Sequence, residues 1–163
     1  MTETVARMLM DAGWEVRPEV SFSHYGERGV VDLVAWHAAS RTLLLVELKT
    51  ELVDINDMLA VTDRRRRLAA NIAEPFGWLP AAVASWVVVA ESRTNRRRLE
   101  QHRSAIRSAF PLDGRSVAGW LKRPHHPHFA LWFLPNLNGT SLRPGPAPRH
   151  RVQRPNLNVE PRT

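Results

Sequence analysis

Apolar residues recur along this chain with two different periods. Val5, Met8, Leu9 and Ala12 fall at helical spacing and predict a helix over residues 2–12. Thr2 or Thr4 can cap it, Glu3 sits in its first turn, and Gly13 closes it. Residues 14–22 alternate as a strand does, with Pro18 favouring an edge or a bulge. A polar loop is expected over 23–29. Two Val- and Leu-rich runs follow, Val30–Trp36 and Thr42–Lys49, joined by a short turn at His37–Arg41, which predicts a β-hairpin. A long helix is expected over 53–73, with Asp54 near its cap and Met58, Leu59, Val61, Leu68 and Ile72 as its buried stripe. Residues 85–90 read as a buried strand, Thr94 to about Phe110 as a helix, and Phe129–Leu134 as a last short strand.

This order predicts an α/β fold: an α-β-β-β-α-β core whose mixed central sheet is flanked by helices. The first three strands pair antiparallel, and a right-handed crossover leads to a parallel neighbour. Residues 1–137 form the expected domain. From 138 to 163 Pro, Arg and Asn dominate, which predicts a disordered basic tail.

Composition narrows the function classes. The 163-residue chain has no cysteine, so disulfides, thiolate nucleophiles and cysteine-bound zinc are excluded. No apolar run is long enough to cross a membrane and no signal peptide precedes the first helix, so a cytoplasmic protein without membrane contact is expected. Twenty-three Lys and Arg against sixteen Asp and Glu give a net charge of +7, nearly all of it arginine. Such a balance attracts polyanions and suits phosphate, although GC-rich coding alone also enriches arginine.

Three charged residues stand inside the apolar strands. Glu47 and Lys49 alternate with Val46 and Leu48, so they share one face of the third strand. Asp32 is the one acid in the second strand, and pairing across the 37–41 turn brings it near Glu47. Burying such groups costs several kcal/mol, roughly, unless they meet partners or a metal. Two close carboxylates call for a cation, and oxygen ligands favour Mg2+ or Mn2+. Lys49 is then placed to orient water or stabilise developing charge. The ordinary alternative is cross-strand ion pairing on a half-solvated sheet, worth ~0.2–1 kcal/mol per pair.

Asp32, fourteen intervening residues and Glu47-Leu48-Lys49 resemble the signature of the PD-(D/E)XK nuclease superfamily, and the element order matches its restriction-endonuclease-like core. Val31 stands where the superfamily name implies proline. Gly29 and the first helix resemble the Holliday-junction-resolvase branch, which implies Glu3 as a further metal ligand, with Glu19 as a second possibility. The segments Ser23–Gly29 and Glu47–Asp54 are also similar to a nuclease-like domain that follows a helix-turn-helix in actinobacterial regulators.

The resemblance implies a Mg2+-dependent endonuclease acting on DNA, with Asp32, Glu47 and Lys49 catalytic. A non-catalytic DNA-associated or regulatory module that keeps the fold is the alternative. Many nucleases of this fold work as dimers, so a homodimer is a further expectation. His24, Tyr25 and Arg28 in the loop, and Arg64, Arg65, Arg96 and Arg97 on the helices, are the candidate DNA contacts; solvated faces are their ordinary reading. Proline interrupts His125-His126-Pro127-His128, which argues against a metal site there.

Overall fold

The computed structural model describes residues 1–135, so the expected tail and the last two positions of the expected domain lie outside the described residues. The elements are α1 (Thr2–Asp11), β1 (Glu15–His24), β2 (Glu27–His37), β3 (Thr42–Lys49), α2 (Ile55–Arg67), α3 (Ala69–Ala73), a 3-10 turn (Glu74–Phe76), β4 (Ala82–Ala90), α4 (Arg93–Gln101), α5 (Arg103–Ala109), α6 (Gly114–Lys122) and β5 (Phe129–Leu134). They build an α/β fold around one five-stranded sheet in the order β1-β2-β3-β4-β5. β1, β2 and β3 pair antiparallel, and β3, β4 and β5 pair parallel. This is the mixed sheet that the sequence predicts.

Alternation along the strands divides the core in two. On one face Leu33, Ala35, Leu44, Val46, Trp86 and Val88 pack against Val5 and Leu9 of α1 and Val117, Trp120 and Leu121 of α6. On the other, Val34, Leu43 and Leu45 meet Ala69, Ile72 and Ala73 of α3, while Val87, Val89 and Leu131 meet Ile55, Met58, Ile106 and Phe110. Every one of these residues is less than a tenth exposed, so burial at roughly 25 cal/mol per Å² of apolar surface is what holds the layers together.

Four expectations need correction. The polar stretch 23–29 is not a loop: the strands continue through it and turn only at Tyr25-Gly26, both with positive φ (45° and 84°). A ladder satisfied by its own backbone needs no apolar alternation to persist. The helix expected over 53–73 starts at Ile55, where the Asp54 carboxylate accepts from the Asp57 amide at 2.9 Å, and breaks at Leu68. The helix expected over 94–110 likewise breaks at His102. Finally, α6 was not expected. Gly114 and Gly119 weaken its propensity, but Asp113 caps it and Val117, Trp120 and Leu121 bury one side of it.

Behind α6 a polar chain crosses the core. Trp86 Nε1 donates to His128 Nδ1 at 2.9 Å, and His128 Nε2 lies 2.9 Å from Ser116 Oγ, which donates to the Asp113 carbonyl. With Nδ1 accepting from an indole N–H, which can only donate, Nε2 carries the proton and donates to Ser116. The His–Ser pair therefore has the wrong polarity for a base activating a nucleophile, and it serves to satisfy buried groups. Among the described residues no helix is long and apolar enough to cross a membrane.

Candidate functional site

The side chains of β1 and β2 switch faces of the sheet at one point. In the β1–β2 ladder the pairs run through Pro18↔Leu33 and resume at Val20↔Val31, leaving Glu19, with φ 50°, opposite Asp32. Before this step Val16 and Leu33 face the α1 core; after it Val20, Phe22 and Val31 face the α3 core. The two strands roll over together, as a left-handed residue in a strand permits. Asp32 sits at the roll.

The β2–β3 ladder ends in the same place, at Leu33↔Val46. There Asp32 Oδ2 takes over as acceptor and receives the Leu48 amide hydrogen at 2.7 Å. The carboxylate thus lies beside the backbone between Glu47 and Lys49. Covalent geometry then keeps the Asp32 and Glu47 carboxyl groups within about 10 Å of each other. Burial pushes the Asp32 carboxyl above the ordinary carboxylate range, and the Glu47 charge pushes the same way; the Leu48 amide, Arg65 and Lys49 pull it back.

Glu47 and Lys49 alternate with Val46, so they follow Leu45 onto the α2 face of β3. Glu47 is 8 % exposed. Its Oε1 pairs with Lys49 Nζ at 2.7 Å, and its Oε2 with Nη1 of Arg65 from α2. Arg65 Nη2 also donates to the Val30 carbonyl at 2.5 Å. Two acids and two bases thus meet where β2 parts from β3, beside a cleft of about 200 Å³ lined by Lys49, Glu51, Leu52, Asp54 and Asp57.

Asp32, Glu47 and Lys49 are therefore brought together as the sequence implies. Glu3 is not. It lies on α1, which packs on the opposite face of the sheet, and its exposed carboxylate pairs with Arg7 at 2.6 Å. Glu19 is exposed on β1. Arg65, expected as a surface contact to DNA, instead reaches inward to Glu47 with its side chain 12 % exposed. Arg96 is held against Glu91 and over the Phe133 ring at 4.6 Å. Arg28 and Arg97 are exposed, and Arg64 approaches Glu27 at 3.9 Å. Tyr25 at the hairpin tip is 96 % exposed, with His24 packed edge-on against it.

Sequence reasoning missed Asn95. Buried on α4, it accepts from the Leu52 amide at 3.0 Å and donates to the Thr50 and Ala90 carbonyls at 3.0 and 2.9 Å. It ties the segment that leaves Lys49 to the end of β4. Its only mark in the sequence is its place three residues after Ser92, whose hydroxyl caps α4 by accepting the Asn95 amide. A cavity of about 710 Å³ between α1 and α6, lined by Met8, Val117, Leu121 and Trp132, belongs to the opposite layer.

Among the described residues no three His, Cys, Asp or Glu cluster closely enough to hold a metal by themselves. Asp32 and Glu47 make a two-carboxylate set. That set suits an ion such as Mg2+, which keeps several of its waters and binds proteins through one or two carboxylates. The guanidinium on Glu47 also stands where a cation is called for, and in this respect the residues fit the ion.

No family model matches the chain, and no curated protein matches it. Among solved structures it is similar to the crystal structure of a protein of unknown function, AF1548, with a TM-score of 0.38 and 16 % identity over 61 % of this chain and 52 % of that one. The chain spans about half the length of that protein.

Proposed function

We propose that this protein is a metal-dependent DNA phosphodiesterase with a restriction-endonuclease-like core. The observation that carries the reading is the convergence of Asp32 on the Leu48 amide, which sets an acid from β2 beside Glu47 and Lys49 of β3. Neither acid is placed for packing. Both interrupt apolar runs, Asp32 between Val31 and Leu33 and Glu47 between Val46 and Leu48, and burial works against the charge of Asp32. Groups held against their own solvation are commoner at working sites than elsewhere.

Asp32 and Glu47 would hold Mg2+ or Mn2+. Such an ion, when bound, polarises a phosphoryl oxygen and lowers the pKa of a water. Lys49, with its side chain 34 % exposed and its ammonium at the Glu47 carboxylate, would orient the attacking water and donate to the phosphate as charge builds. Arg28, Arg64 and Arg97 supply backbone contacts that read no sequence. The exposed Tyr25 at the tip of the β1–β2 hairpin offers a ring for stacking.

One observation favours the alternative, a DNA-associated module without catalysis. Both Glu47 oxygens are already matched by cations of the protein itself. A Mn2+ titration of the wild type and Asp32→Ala, with nicking of supercoiled and branched DNA as readout, separates the two. The phosphodiesterase reading expects metal-dependent nicking by the wild type alone. DNA binding without metal and without nicking would leave the module.

A further inference from the structure

Arg65 and Arg66 are neighbours on α2 and are held in different ways. Arg66 lies over two rings, 4.8 Å from the Phe110 centroid and 4.1 Å from that of Phe129, and donates to the Ala109 carbonyl at 3.1 Å. Those contacts bolt α2 to the sheet and to α5, and no ligand at the acid pair competes for them. Arg65 has no ring beneath it among the described contacts. Its guanidinium is held by the Glu47 carboxylate and the Val30 carbonyl, while its buried Nε, like that of Arg66, has no partner. What Arg65 grips is one of the two carboxylates that a metal would also need.

Charge counting gives the consequence. Asp32 and Glu47 carry two negative charges; Lys49 and Arg65 carry two positive ones. A divalent ion added to this set leaves the site two charges in excess, so metal alone is opposed. One anionic phosphodiester entering the site offsets half of that excess, and it can take the guanidinium, which binds phosphate with the same fork it uses for carboxylate.

We propose that Arg65 is an exchangeable cation at this site: it neutralises Glu47 in the metal-free protein and passes to the substrate phosphate when a divalent ion takes the carboxylates. The inference rests on the phosphodiesterase reading and adds a coupling to it. Metal and DNA each raise the affinity of the protein for the other, through one side chain, and that reciprocity is required by linkage.

The test is Mn2+ binding to the full chain, followed by paramagnetic resonance of the free ion, first alone and then with a short phosphorothioate duplex. In the wild type the duplex tightens Mn2+ binding. Arg65→Gln removes the competitor, so Mn2+ alone binds about tenfold tighter or more, and the duplex no longer changes it. Arg65→Lys keeps a charge but cannot span Glu47 and Val30, so its Mn2+ affinity falls between the two. It also serves if the Gln variant is poorly folded by near-ultraviolet circular dichroism. Equal Mn2+ affinity in the wild type and both variants, abolished throughout by Asp32→Ala, would overturn the exchange and leave the phosphodiesterase reading standing. No Mn2+ binding in any of them would overturn both.

Discussion

Asp32 Oδ2 accepts the Leu48 amide hydrogen at 2.7 Å, so a side chain of β2 completes the ladder that its own backbone abandons at Leu33. The bond is structural, yet the charge on it is not needed for structure. A neutral amide oxygen accepts the same hydrogen.

Asp32→Asn is therefore expected to fold at least as stably as the wild type. The substitution keeps the acceptor for Leu48, removes a charge that burial disfavours and relieves repulsion from Glu47. Urea unfolding at neutral pH checks this through the midpoint at constant slope. A loss of stability beyond about 1 kcal/mol would mean that the carboxylate is a structural ion-pair member, since that is the size of cost a needed charged partner carries.

Asn95→Ala leaves the buried Leu52 amide and the part-buried Thr50 and Ala90 carbonyls without their side-chain partner. Each such group costs about 1–3 kcal/mol when water cannot replace the bond. Partial access for water limits the total, and a destabilisation of about 3 kcal/mol is expected. Hydrogen exchange adds a local signature: the Leu52 amide loses protection ahead of the β3 and β4 amides.

Tyr25→Asn separates binding from stability. Positive φ at both Tyr25 and Gly26 is the backbone of a type I′ turn, which favours Asn-Gly. Asn is expected to raise stability by about 0.5 kcal/mol, since it tolerates the left-handed region better than Tyr. If the ring stacks on DNA, affinity falls at the same time, by about tenfold for one stacked base. Unchanged DNA affinity would remove the tip from the interface.

His128 makes stability depend on pH. Burial, with the nearby His126 adding to it, pushes its imidazole from the usual 6.5 down to about 4. The unfolded chain binds this proton below pH 6.5 and the folded chain only near pH 4, so stability falls as pH drops through that window and levels off beneath it. The span corresponds to at most about 3 kcal/mol. His128→Gln can still accept from Trp86 and donate to Ser116. The wild type should therefore lose stability relative to it between pH 6.5 and 4, as urea midpoints across the range will show.

The layers were legible in the sequence because burial writes period-2 and period-3.6 patterns into it. The β2–β3 hairpin, the run Leu43–Val46 and the closing Gly13 follow from composition and spacing alone. The pairing of Asp32 with Glu47 and Lys49 was legible for the same reason, since the strand register follows from the short turn between them. Other features arise only in three dimensions. The roll at Glu19 and Asp32 is a backbone event with no residue type of its own. Arg65 and Arg66 are indistinguishable within a run of four arginines until the helix turns one to Glu47 and the other to Phe110 and Phe129. Helix α6 hides behind two glycines, and Asn95 looks like any polar helix residue until the chain after Lys49 folds back on it.

Single-turnover nicking of supercoiled DNA in Mg2+ by the wild type and by folded Asp32→Asn tests the central claim most directly. The account predicts nicking that chelation abolishes and that the substitution slows by at least about 100-fold, as loss of a metal ligand or its close support does. Equal rates in the two proteins, or nicking that persists without metal, would contradict it.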